Sequence, residues 1–238
     1  MPRAGFEFRE GLGRPLTCRK GESGLVLWLP LREPSGTRAN DLSPKGNHGT
    51  VTGATVVAGR VGSARSFDGS AQYISVADDP SLDLTQFTIE VSFKLSSLYA
   101  YNGLYRKQGG GGDENYSVYI KASGGVHEPI HFTDCDRRTD CDLSDGTLAA
   151  AIWYLLAQSY TSGHWSAHLD GSLLLAITTV TKTPNVNSQP LYISINEASR
   201  YLKGIIEYVR IYNRHLTDGE LLSHARKPYY ALGLVHGG

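Results

Sequence analysis

The stretch Phe87-Thr88-Ile89-Glu90-Val91-Ser92-Phe93-Lys94-Leu95 alternates apolar and polar residues without a break. Successive side chains on a strand point to opposite faces, so the pattern predicts one face on a core and the other in water. Leu25-Val26-Leu27-Trp28-Leu29-Pro30-Leu31 is apolar on both sides, as expected of a strand covered twice. Trp165–Leu169 meets Asp170-Gly171 and resumes as Ser172–Ala176. That is a hairpin signal, because the turn needs the positive φ these two residues tolerate. Tyr73–Val76 resumes a strand interrupted at Asp68-Gly69, and Leu191–Ile195 and Ile205–Tyr212 complete the set. Short strands divided by Gly, Asn, Asp and Ser turns predict an all-β protein, a two-sheet antiparallel sandwich.

One short C-terminal helix is expected. Thr217 stands three residues before Glu220 at the head of an apolar run, the pattern of a capping box, and the helix should end near Lys227-Pro228. A chain of 238 residues with 27 glycines, 14 tyrosines and one methionine suits strands and tight turns. Lys+Arg and Asp+Glu both number 23, which argues against a nucleic-acid partner. No run is long enough for a membrane span. The opening MPRAGFEFREGLGRPLTCRKGESG lacks the apolar core of a secretory signal, leaving a trimmed signal, another export route, or arrival within an assembly. Cys135 and Cys141 bracket the polar loop DCDRRTDCD and are read as a local disulfide adding about 2 kcal/mol, with two free thiols as the alternative; Cys18 is left over. The chain divides into an arm (1–23), one domain (24–226) and a tail (227–238).

Taken in order, the segments GLVLWLPLRE, ANDLSPKGNHGTVTG, GRVGSARSFDGSAQYISV, SLDLTQFTIEVSFKL, WYLLAQSY, SAHLDGSLLLA, PLYISI and KGIIEYVRIYNRHLTDGELL resemble the LamG-like jelly rolls of the concanavalin A-like lectin/glucanase superfamily. The resemblance covers about residues 24–226 and implies a jelly roll whose first and last strands lie close together. It also implies a structural Ca2+ ion held by the DLSPKGNHG loop, the FDG turn and the GIIEYVRIY strand, which maps onto Asp41, Asn47, Asp68 and Glu207. The residues agree: Glu207 has the parity of Ile205, Val209 and Ile211, and a buried carboxylate must be paired, protonated or metal-bound. The alternative leaves Asp41 and Asp68 in turn hydrogen bonds and gives Glu207 an arginine such as Arg65. Where the family reads Phe-Asp-Glu after the first strand, this chain has Leu31-Arg32-Glu33, so the alternative to calcium is that Arg32 replaces the ion's charge outright. The acidic loop of Asp134, Asp136, Asp140, Asp142 and Asp145 lacks the pattern of an EF-hand and reads as solvated.

Related β-glucanases carry Glu-x-Asp-x-x-Glu on one strand, and related alginate lyases use Arg, Gln-x-His and Tyr-x-Lys elements; neither set is present. His131, His164, His168 and His215 stand apart in sequence without a nucleophile motif. The expectation is therefore a non-catalytic recognition module binding glycan or a protein surface, outside the cell or on a virion. Candidate ligand contacts are Tyr99, Tyr101, Asn102, Asn196, Arg200 and Tyr201. The competing reading is a structural or decoration protein of an extracellular or viral assembly, motivated by residues 1–24 and the apolar tail Tyr229–Val235, with the termini joining copies.

Overall fold

In the computed structural model, the residues described are 22–99, 101–108, 114–127, 143–178, 184–196 and 200–227. Cys18, Cys135, Cys141, His131, most of the acidic loop, nearly all of the N-terminal arm and the tail beyond Lys227 lie outside them. Asp145 accepts a 2.6 Å hydrogen bond from the hydroxyl of Ser123.

The strands are β1 (Leu25–Leu29), β2 (Arg38–Ala39), β3 (Gly49–Thr52), β4 (Thr55–Ala58), β5 (Ser63–Asp68), β6 (Tyr73–Val76), β7 (Phe87–Leu95), β8 (Tyr101–Gln108) and β9 (Glu114–Lys121). They continue as β10 (Val126–His127), β11 (Trp153–Thr161), β12 (His164–Leu169), β13 (Ser172–Ile177), β14 (Leu191–Ile193), β15 (Ile195–Asn196), β16 (Arg200–Tyr201) and β17 (Lys203–Tyr212), and helix α1 spans Asp218–Arg226. Two antiparallel sheets result. The eight-stranded sheet runs β13-β12-β11-β7-β17-β5-β4 with β1 also on β17, and the seven-stranded sheet runs β10-β9-β8-β14-β6-β3-β2. First and last strands pair, Leu29 opposite Val209 and Leu27 opposite Ile211. The main core lies between the sheets and includes Leu27, Leu29, Phe67, Ile74, Val76, Phe93, Val118, Ile193, Ile206 and Val209.

Local signals account for the ends of several elements. Asp170 and Gly171 both adopt positive φ, 51° and 81°, and join β12 to β13. Thr217 caps α1 by accepting from the Glu220 N–H, while the Glu220 carboxylate accepts from the Thr217 N–H at 2.9 Å. Arg214 clamps the same carboxylate at 2.7 and 3.0 Å, and its hydrogen bonds are the first cause holding the Glu220 carboxyl down at about 2.

Two expectations are corrected. Strand β7 does not have a wet face: Thr88, Glu90 and Ser92 are as buried as Ile89 and Val91. A second apolar cluster accounts for this, in which Trp28, Leu155, Ala157, Tyr208 and Tyr212 of the sheet's own strands meet Leu216 and Leu221 and bring α1 over the far side of the eight-stranded sheet. The parity of β17 is also broken. The pairing with β7 slips between Ile206 and Tyr208, so Ile206, Val209 and Ile211 meet the core, whereas Ile205 is half-buried outside it. Such a slip places one extra residue in the strand, and here that residue is Glu207.

Replacing the cap, Thr217→Ala, is expected to lower stability by about 1 kcal/mol in chemical denaturation. Because the Glu220 carboxyl titrates lower in the folded chain than unfolded, its contribution is full above about 4.5 and disappears as pH falls towards about 2. An acid titration of α1 followed by NMR checks the sign.

Candidate functional site

The four residues expected to hold calcium do not converge. Asp41 is buried at the entrance of the DLSPKGNHG loop. Its Oδ1 accepts from the backbone N–H groups of Trp28 (2.7 Å) and Ser43 (2.8 Å), and its Oδ2 from the Ser43 hydroxyl (2.7 Å) and the Asn47 N–H (2.6 Å). Asn47 turns its amide nitrogen to the Val26 carbonyl and the Ser81 hydroxyl. Asp68 is exposed and accepts from the N–H of Ser70 within its own turn. Glu207 is fully buried and accepts from the Val61 N–H (2.8 Å), the Ser92 hydroxyl (3.2 Å) and Arg60 Nε (3.3 Å). Gly59 makes room for it, since a Cβ there would stand 2.8 Å from Glu207 Oε1. Arg65 lies instead beside Glu33, and Arg32 donates to the Val61 carbonyl. Among the described residues no three His, Cys, Asp or Glu side chains are grouped as a metal ion requires. This donor set does not fit calcium.

The expected ligand contacts separate into two groups. Tyr99 donates its hydroxyl to the Gly69 and Tyr201 carbonyls. Asn102 is fully buried, donating to the Tyr99 carbonyl and accepting from the Lys203 N–H, and Asn196 is buried where β15 and β16 fold back onto Gly103. Tyr99 and Asn102 are thus engaged in hydrogen bonds within the fold, and the Asn196 side chain is buried. Tyr101 and Arg200 behave differently. The Arg200 guanidinium lies 4.4 Å from the ring centres of both Tyr101 and Tyr119, and the two rings meet edge to face at 5.3 Å. Tyr201 is half-buried next to Arg200 and pairs with Ile195.

That cluster sits on the outer face of the seven-stranded sheet. Ile74 and Val76, Leu191 and Ile193, and Val118 and Ile120 point to the core, so the alternate residues Tyr73 and Ser75, Tyr192, and Ser117 and Tyr119 point away. One cross-strand row reads Thr50, Ser75, Tyr192, Arg106 and Ser117. Within it the Arg106 guanidinium lies 5.3 Å from the Tyr192 ring, and Tyr73 meets Tyr192 edge to face at 5.7 Å. The face therefore carries two tyrosine pairs, each with an arginine against a ring. Tyr73, Arg106, Tyr119 and Tyr192 were not among the expected contacts, although period-two alternation in YISV and LYI marks Tyr73 and Tyr192 as pointing opposite to Ile and Val.

Gly103 organises this face. A Cβ there would overlap the Asn196 nitrogen and the Arg200 carbonyl, so glycine lets β15 and β16 lie directly on β8 and deliver Arg200 to Tyr119. Ser194 supports the reversal with a φ of 72°. Histidines scattered in sequence meet on the opposite sheet: His164 and His215 contact edge to face at 5.3 Å, and His168 bonds Asp218 at 2.9 Å. Burial, then the neighbouring His164, lowers the pKa of His215.

A family model described as the concanavalin A-like lectin/glucanases superfamily matches residues 68–222. The chain belongs to this superfamily. No curated protein matches the sequence. Among solved structures, the Trypanosoma rangeli sialidase in complex with sialic acid aligns with a TM-score of 0.68 at 16% identity, over 92% of this chain and 35% of the sialidase. Domain 4 of AbnA, a GH43 extracellular arabinanase from Geobacillus stearothermophilus in complex with arabinotriose, aligns at 0.65 and 17% identity, over 86% of this chain and all of that domain. The binding domain of Paraclostridial Mosquitocidal Protein 1 aligns at 0.69 and 14% identity, over 87% of this chain and 52% of that one. At these identities the likeness establishes the jelly-roll fold.

Gly103→Ala tests how this face is built. The added methyl is expected to lift β15 and β16 from β8, lower stability by about 1–3 kcal/mol, and release Arg200 from Tyr101 and Tyr119, seen as altered ring shifts of both tyrosines in NMR spectra.

Proposed function

We propose that the protein is a non-catalytic recognition module of lectin type that holds a glycan on the outer face of its seven-stranded sheet, outside the cell or on a virion. The observation that carries this reading is the paired arrangement of Tyr73 and Tyr192 with Arg106, and of Tyr101 and Tyr119 with Arg200, on one sheet face. Tyrosine offers an apolar ring to the C–H face of a sugar and a hydroxyl to its rim, and a guanidinium held against a ring is a positioned donor for sugar oxygens. From β6 to β9 the face spans three strand spacings, about 14 Å, which suits an extended glycan chain rather than one terminal sugar. A superfamily of lectins and glucanases, and a same-fold domain whose structure is in complex with arabinotriose, support glycan as the ligand class.

Binding without cleavage is supported by the state of the buried acids. Glu90 contacts His224 and Arg210, and Glu207 contacts Arg60, so both carboxylates face protein partners on the covered side of the other sheet. A glycosidase needs two carboxyl groups flanking a bound sugar. No helix among the described residues is long and apolar enough to cross a membrane.

A protein surface is the second reading, favoured by β13. This strand ends the eight-stranded sheet and leaves Leu173 and Leu174 almost half exposed, 49% and 44%, on successive positions and hence on both sides of an open edge. An assembly role would draw on that edge.

A glycan array followed by titration calorimetry tests the proposal. Binding is expected, strengthening from disaccharide to longer oligosaccharides, and Tyr192→Ala should weaken it about tenfold, the loss of about 1.4 kcal/mol, while the protein stays folded at the assay temperature. An array without binding, or a Tyr192→Ala protein that binds as well as the wild type, sinks the glycan reading. Concentration-dependent self-association abolished by Leu174→Lys would then favour the edge.

A further inference from the structure

We infer that the sandwich is closed by the chain's own cations and amides at the positions where the family resemblance places calcium, so that its folding takes no metal ion at Asp41, Asn47, Asp68 or Glu207. A carboxylate has about four lone-pair sites. At Asp41 all four are filled, three by backbone N–H groups from Trp28, Ser43 and Asn47 and one by the Ser43 hydroxyl. Every one of those hydrogens points at the oxygens a cation would need. Admitting an ion would strip the Trp28 N–H in the middle of β1, and the Asn47 N–H that closes the loop.

Glu207 leads to the same conclusion by a different route. Its buried charge faces Arg60, whose side chain is about one-third exposed (32%) and lies 5.5 Å from the ring centre of Trp153. The guanidinium occupies the side from which a cation would approach, and the remaining oxygen capacity goes to the Val61 N–H and the Ser92 hydroxyl. Asp68, the third expected carboxylate, is spent on its own turn and opposes Lys203 across β5 and β17. Calcium takes six to eight oxygens around one point. Here the expected groups are dispersed over three places, and each of the three carboxylates already accepts from a proton donor of the chain.

A buried organic cation among oxygens is also found at Lys107 on β8 of the seven-stranded sheet. Lys107 is fully buried, and its ammonium meets Asp78 Oδ1 at 2.7 Å, Asp83 Oδ1 at 3.0 Å, and the carbonyl of Asn187. An oxygen cage of that composition is a cation site, and the chain fills it with its own ammonium group.

The test uses the full chain, stripped with a chelator and then titrated with calcium chloride while backbone amides are followed by 1H–15N NMR. Val61, Trp28, Ser43 and Asn47 report directly, because their N–H groups bond the carboxylates in question. The expected result is that these four amides stay in place through millimolar calcium and that chelation leaves the melting temperature unchanged. Saturable shifts at these four amides at one equivalent of calcium overturn the inference. A saturable shift at the Ser70 amide, which bonds Asp68, overturns it at that residue, and shifts confined to residues other than these five place an ion elsewhere on the chain and leave these sites metal-free, as inferred.

Discussion

Strand β17 is hydrogen-bonded along both edges, and the rest of the molecule depends on that. One edge pairs with β7 from Gly204 to Tyr212. The other edge changes partner midway: Lys203–Ile206 pair with β5, and Val209–Tyr212 pair with β1. The changeover leaves a gap between β5 and β1, and the extra residue of the strand, Glu207, falls in it. The turn between β4 and β5 fills the gap from outside, bringing the Val61 N–H and Arg60 to the carboxylate. A bulge, a buried charge and a turn sequence are thus one device, which ties the first strand, the last strand and the β4–β5 hairpin at a single point. An uncompensated carboxylate there would be costly, and removing one partner of such a buried pair costs far more than the pair contributes over an apolar replacement.

The same logic extends along the covered side of the eight-stranded sheet. The Arg210 guanidinium lies 4.8 Å from the ring centres of both Trp28 and Tyr208, beside Glu90 at 3.7 Å. Glu90 in turn contacts His224 of α1, whose ring stacks on Tyr212. Burying this many charges is tolerable only because aromatic faces and opposite charges enclose each one. The helix is held at both ends through histidines, His168 to Asp218 in its first turn and His224 to Glu90 in its last. Its apolar residue Leu221 completes the cluster under it. Helix and sheet are therefore joined by specific polar contacts as well as by burial.

What could be read from the sequence was local. The Asp170-Gly171 turn, the Thr217 cap, the pairing of first and last strands and the two-sheet architecture all rest on signals within a few residues or on ordered segments of a known pattern. What could not be read arises where distant segments meet. The alternation of β7 announces a wet face, but Arg60, Arg210 and His224, from three other places in the chain, cover it. The parity of β17 gives Glu207 to the core, but one inserted residue reverses the assignment. Asn102 and Asn196 look like ligand contacts because amides suit sugars, and they are buried because Gly103 allows β15 and β16 to fold back on β8. Tyr73 and Tyr192 were legible through simple alternation and were obscured by the commonness of tyrosine in strands.

The two outer faces of the sandwich have opposite chemistry, and that difference bears on function. On the eight-stranded sheet, arginines, glutamates and aromatic rings are packed together beneath the β4–β5 turn and α1, so their interactions are spent on cohesion. On the seven-stranded sheet, Tyr73, Arg106, Tyr192 and Arg200 remain half-buried at the surface and Tyr101 is 43% exposed, while Tyr119 is buried beneath Arg200 and Tyr101. Cation–π contacts in the first setting are dry and fixed; in the second they order side chains that still touch solvent. Pre-ordering of that sort reduces the entropy a ligand must remove on binding, since a ring and a guanidinium already hold one another in place. The first face is committed to cohesion, and the glycan proposed above would draw on the second, where Tyr73, Tyr101 and Tyr192 still reach solvent.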